Sequence, residues 1–136
     1  MEPIEWNPNF SVGVPSMDRQ HLTIVTLINE LIGSPDLEAD TDALHLALDQ
    51  LTRYSEDHFL AEEALLEGTG YPELLRQKEE HREFRRRIAL LCHDTALGKP
   101  GGLNRLLTFL KDWWTHHILV EDMRYRPYFE NQELSP

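Results

Sequence analysis

Between residues 16 and 122 the apolar positions recur at steps of three and four, the spacing that gathers them on one face of a helix. Gly and Pro fall mainly between these periodic segments, where they break helices. Four helices are predicted. The first spans about 16–32, beginning at Ser16 or Asp18 and stopping at Gly33-Ser34-Pro35. The second spans about 40–67 and is closed by Gly68-Thr69-Gly70-Tyr71-Pro72, with Pro72 presetting the first turn of the third, about 72–93. Gly98-Lys99-Pro100-Gly101-Gly102 then leads into the fourth, about 103–122, and a short tail follows. Residues 1–15, with Pro3, Pro8, Gly13 and Pro15, form an ordered arm rather than a helix. Short connections between long amphipathic helices require antiparallel neighbours. The expected fold is therefore all-α, an up-down-up-down four-helix bundle with an N-terminal arm, in one domain over 1–136.

Composition narrows the setting. With 136 residues and 40% hydrophobic positions, the chain can bury about two-thirds of its unfolded surface in a core without staples. Its net charge of -11 argues against nucleic acid and against anionic membranes, because both are held by Lys and Arg. The single cysteine, Cys92, cannot form an internal disulfide, which suits the cytosol. Met1-Glu2-Pro3-Ile4-Glu5-Trp6 lacks the basic flank and apolar run of a signal peptide, and no stretch approaches the ~18 apolar residues of a membrane span. A cytoplasmic monomer is the expectation.

Written out, each inward stripe is interrupted by a residue type that binds metals. The second helix reads Leu44, Leu48, Leu51, Ser55, His58, Glu62, Leu65, with His58 and Glu62 one turn apart. The third reads Leu74, Gln77, His81, Phe84, Ile88, Leu91; the fourth Leu103, Leu106, Leu110, Trp113, His117; the first His21, Ile24 or Val25, Ile28, Leu31. In an antiparallel bundle the start of the first, the end of the second, the start of the third and the end of the fourth share one end. His21, His58, His81 and His117 converge there. Each unsatisfied buried polar group costs ~1–3 kcal/mol and a buried charge several, a sum near the whole stability of a domain. A bound metal removes that penalty. His45, His93 and His116 lie off the stripes and are expected at the surface.

Four imidazoles with carboxylates and no thiolate exceed a closed zinc site and suit iron, manganese or a two-metal centre. The Glu-x-x-His plan of ferritin-like bundles is absent, since no Glu lies three residues before a core histidine. A nitrogen-rich iron pair stabilises high oxidation states less well than a carboxylate-rich one, which favours reversible oxygen binding over oxygen activation.

These residues resemble the hemerythrins, specifically the single-domain bacteriohemerythrins, over nearly the whole chain. The likeness is carried by Trp6, Gly13, Asp18-Arg19-Gln20-His21, His58-Phe59-Leu60-Ala61-Glu62-Glu63, Tyr71-Pro72, Gln77 through His81 to Phe84, and Trp113 through His117-Ile118 to Asp122. The resemblance implies two non-haem iron ions, oxo- or hydroxo-bridged, that bind O2 reversibly. It implies that Glu62 and Asp122 bridge them, with His21 and His58 on the oxygen-binding iron and His81 and His117 on the other. It also places Trp113, Trp114 and Ile118 around the oxygen pocket.

The chain departs from the pattern twice. Gln77 replaces the first histidine of the family's His-x-x-x-His, and Trp114 stands where leucine is common. Gln77 is expected either to ligate iron through its amide oxygen or to hydrogen-bond a metal-bound water. Helical geometry also puts Glu121, not Asp122, on the face of His117, with Asp122 about 140° away. The resemblance selects Asp122 if the helix end loosens, leaving Glu121, Glu63 and Glu79 as solvated charges. The function expected is an oxygen carrier, store or sensor rather than an enzyme, with its protein partner unidentified. The alternatives are a redox enzyme acting on peroxide or nitric oxide, in which Gln77 opens the second iron, and an iron-sequestering bundle.

Overall fold

The computed structural model describes residues 1–130, so 131–136, the end of the expected tail, lie outside the described residues. The main helices are α1 (Pro15–Ile32), α2 (Thr41–Thr69), α3 (Leu74–Ala96) and α4 (Gly102–His116), followed by the short α5 (Arg126–Glu130). Helix α1 packs on α2 and α4, and α3 packs on α2 and α4, which closes the four into a bundle. No strand forms among the described residues. Nor is any helix among them long and apolar enough to cross a membrane.

The helix ends follow local chemistry. Pro15 sits at the first turn of α1. In that turn Asp18 receives the Val12 N–H at 2.8 Å and the Ser11 hydroxyl at 2.7 Å, tying the arm to the bundle. The Asp40 side chain caps α2 by accepting the Ala43 N–H. Helix α2 ends two residues later than expected, because Gly70 rather than Gly68 adopts the left-handed conformation, at φ 69°. The N–H of Gly70 then reaches Glu67 O and that of Tyr71 reaches Leu66 O, satisfying carbonyls of the last turn. Pro72 falls in the turn before α3 instead of inside it, and α3 runs on to Ala96.

The arm is ordered as expected, with one 3₁₀ turn at Pro8–Phe10. The Asn29 side chain exchanges two hydrogen bonds with the Ile4 backbone, at 2.8 and 2.9 Å, and Trp6 stacks on Phe10. Along the bundle axis most of the predicted stripes are buried, including Ile24, Ile28, Leu51, Leu106 and Leu110, while Leu74, Leu91 and Trp113 are only partly so. At the end of α2, Leu66 is fully buried where Leu65 was expected. His45, His93 and His116 are exposed.

The end of the fourth helix differs most from a regular pattern. After His116 the backbone widens into a π turn over His117–Glu121, then tightens into a 3₁₀ turn over Asp122–Arg124. The Asp122 N–H bonds to the His117 carbonyl, five residues back rather than four. That one-residue expansion brings Asp122 round to the face of His117.

Candidate metal centre

Each helix delivers its polar residue to one end of the core. His21 comes from α1, His58 and Glu62 from α2, Gln77 and His81 from α3, and His117 and Asp122 from the widened end of α4. All seven side chains are buried, none more than 2% exposed.

Two donor groups form there and share Glu62: His21, His58, Glu62 and Asp122 in one, and Glu62, His81 and His117 in the other. Glu62 turns Oε2 toward His21 and His58, each at 3.4 Å, and Oε1 toward His81 at 3.0 Å and His117 at 3.6 Å. Asp122 divides in the same way, with Oδ2 3.1 Å from His21 Nε2 and Oδ1 3.1 Å from His117 Nε2. Each carboxylate therefore presents one oxygen to each group. The Nε2 atoms of His21 and His58 face each other at 3.1 Å.

Gln77 stands beside Asp122. Its amide nitrogen donates to Asp122 Oδ1 at 3.0 Å, with a longer contact to the Glu121 carbonyl at 3.5 Å. Among the described residues its amide oxygen is buried without a hydrogen-bond partner, as are Asp122 Oδ2 and His117 Nε2.

Two carboxylates sealed from water demand positive charge close by. Burial opposes protonation of His21, yet Asp122 and Glu62 outweigh it and push its pKa up to about 9. Burial is likewise overcome at His117, which Asp122 and Glu62 raise well above the ordinary range. At His58 burial wins and the pKa falls. Glu62 and Asp122 are held low against their own burial by the surrounding imidazoles. Two buried carboxylates thus draw positive charge to the cluster, which a divalent cation would supply. Neighbouring donors on one ion at about 2.1 Å stand roughly 3 Å apart, so separations of 3.0–3.6 Å and the orphaned donor atoms fit metal binding.

Aromatic rings wall the cluster. Trp113, half-buried, stacks on His117 with centroids 4.4 Å apart, while Trp114, fully buried, lies 5.8 Å from His58. Phe59 stacks on His81 at 4.1 Å, and Ile118 is fully buried.

Several residues escaped the sequence reading. Tyr125 is fully buried and donates to Glu62 Oε2 at 3.1 Å; burial and Glu62 raise its pKa well above the ordinary range. It follows Asp122 by three residues, in what was expected to be tail. Gln20 Oε1 lies 2.7 Å from His58 Nδ1, and Glu80 Oε1 lies 3.7 Å from His117 Nδ1. The expectation that Glu63 and Glu121 are solvated charges is corrected. Glu63 meets His81 Nδ1 at 2.7 Å, and Glu121, 4% exposed, takes both arms of Arg76 at 2.7 and 2.9 Å. That Arg76 contact holds the Glu121 pKa low. Glu79 is exposed as expected and pairs with Arg82.

Comparison with known proteins agrees with this geometry. The hemerythrin HHE cation binding domain model matches residues 12–129. A bacteriohemerythrin of Ralstonia nicotianae is 33% identical over 129 residues, covering 90% of this chain and 85% of that protein. One from Stenotrophomonas maltophilia is 28% identical over 126 residues, covering 92% and 80%. A solved structure, titled as the crystal structures of a leucine-to-phenylalanine mutant, superposes with a TM-score of 0.82 at 27% identity, covering 95% of this chain and 98% of that one. By the bundle, by the spacing of the donors along it and by these likenesses, the chain belongs to the hemerythrin family.

Proposed function

We propose that this chain is a non-haem di-iron protein that binds O2 reversibly. The observation that carries the reading is the division of Glu62 and Asp122, each with one oxygen toward His21 and the other toward His117. Two carboxylates so placed join two ions rather than saturate one. In this reading Glu62 and Asp122 would be shared between two irons, with His21 and His58 holding one and His81 and His117 the other. Gln77 would add its amide oxygen, a buried acceptor without a partner among the described residues, to the His81–His117 side.

Two ferrous ions bound in this set supply the electrons with which O2 is held and returned. The protein supplies donors of fixed direction and a dry enclosure. Gln20, accepting from His58 Nδ1, orients that ring so that its Nε2 lone pair faces the cluster. Trp114, fully buried beside His58, excludes water from that side, and Trp113 covers His117. Tyr125 donates to Glu62 and fixes the rotation of that carboxylate.

The test is optical. Protein loaded anaerobically with Fe(II) and then exposed to air should develop a visible band that disappears under vacuum and returns with air over repeated cycles. Steady consumption of peroxide or nitric oxide would replace this reading with the enzymatic one, and the absence of both a reversible band and turnover would leave an iron-sequestering bundle.

A further inference from the structure

The cluster is surrounded by an outer layer whose charge is unevenly distributed. On the His21–His58 side no carboxylate meets the far ring nitrogens among the described residues: His58 Nδ1 meets the Gln20 amide oxygen, and His21 Nδ1 has no hydrogen-bond partner. On the other side both far ring nitrogens face carboxylates, His81 Nδ1 at 2.7 Å from Glu63 and His117 Nδ1 at 3.7 Å from Glu80. The closer contact is a short charge-assisted hydrogen bond.

The Glu63 carboxylate only accepts, so His81 Nδ1 carries a proton, and Nε2, 3.0 Å from Glu62 Oε1, would offer its lone pair to a metal held between them. The anion also draws that proton outward, which makes Nε2 a stronger donor than a ring backed by an amide. The negative charge of Glu63 is only weakly countered elsewhere. Arg85 is 3.9 Å away, but both arms of its guanidinium are taken by Glu56 at 2.7 and 2.9 Å. Glu63 keeps 16% of its side chain exposed, so its charge is tolerated at this depth. This charged backing lies on the side where Gln77 offers an amide in place of an imidazole.

We infer that Glu63 is a positioning residue that strengthens His81 as a metal donor and so offsets the imidazole that Gln77 does not supply. The inference rests on the two-metal reading above. Its distinctive consequence is coupling: Glu63 matters while residue 77 is glutamine and matters less when it is histidine.

Glu63→Gln tests it, because the amide keeps the volume and can still accept from Nδ1 while the charge is lost. Metal-free wild type, Glu63→Gln, Gln77→His and the double variant are titrated with Co(II), whose visible bands report each binding step, after circular dichroism confirms native helix content. Wild type should take two equivalents. In Glu63→Gln one equivalent should weaken by about tenfold or more and the other stay unchanged. In the Gln77→His background the same change should cost only a few-fold. With iron bound, Glu63→Gln should raise the midpoint potential of one ion, a shift that a purely packing role would not produce. Equal weakening of both equivalents, no weakening, or the same penalty in both backgrounds overturns the inference alone. A wild-type chain that takes a single equivalent overturns the two-metal reading and this inference with it.

Discussion

Gln77 stands where the inward stripe of α3 enters the cluster. It is buried, one turn before His81, and its amide nitrogen is committed to Asp122 while its oxygen is free. An amide oxygen is a weaker donor to Fe(II) than imidazole, so Gln77→His should slow conversion of the oxygenated protein to the ferric state, followed as decay of the visible band in air. An unchanged rate would place Gln77 outside the ligand set. Trp114 makes a second residue-level prediction. Fully enclosed beside His58, it fills space that water would otherwise occupy. Trp114→Ala should accelerate the same decay, and equal rates in variant and wild type would remove the indole from any shielding role. Four of the histidines and Glu62 were legible in the sequence because helical periodicity alone points them inward. Glu63 and Glu80 were not, since they sit beside that stripe and reach His81 and His117 only through the far ring nitrogens.

At the scale of the element, the end of α4 decides the site. A regular helix would aim Glu121 at the core and carry Asp122 about 140° away from His117. The π turn over His117–Glu121 reverses this, leaving Glu121 to Arg76 and bringing Asp122 to 3.1 Å from both His21 and His117. Periodicity could not show it, because a backbone expansion of one residue leaves no mark in the apolar pattern; the family resemblance did. Tyr125 was lost for the same reason, as the pattern stopped where the regular helix stopped. Other boundaries were legible within two or three residues from Gly and Pro, and the remaining error has a stated cause: the left-handed cap fell on Gly70. No atom lies within 4 Å of a Cβ built there, so Gly70→Ala should cost only the backbone strain of positive φ, about 1–2 kcal/mol in a denaturant titration. Gly68→Ala, inside α2 with equally open surroundings, should instead stabilise by up to ~1 kcal/mol. Equal effects at the two positions would contradict the assignment of the cap.

For the molecule as a whole, the fold and the site oppose each other. The apolar end of the bundle, around Ile24, Ile28, Leu51 and Leu106, provides the stability. The other end spends part of it on seven buried polar side chains with orphaned atoms. A metal that binds only the folded chain adds RT ln(1 + [L]/Kd), about 2.7 kcal/mol at a free concentration one hundred times Kd. Loading should therefore raise the thermal midpoint and chelation should lower it reversibly, while His58→Ala should abolish the difference and His93→Ala, at an exposed position, should preserve it. Whether the buried cluster holds two irons is read from the iron content of the folded chain after anaerobic loading and removal of free metal. Two iron atoms per chain is the predicted result. One iron per chain, or zinc retained in preference to iron during expression, would contradict it.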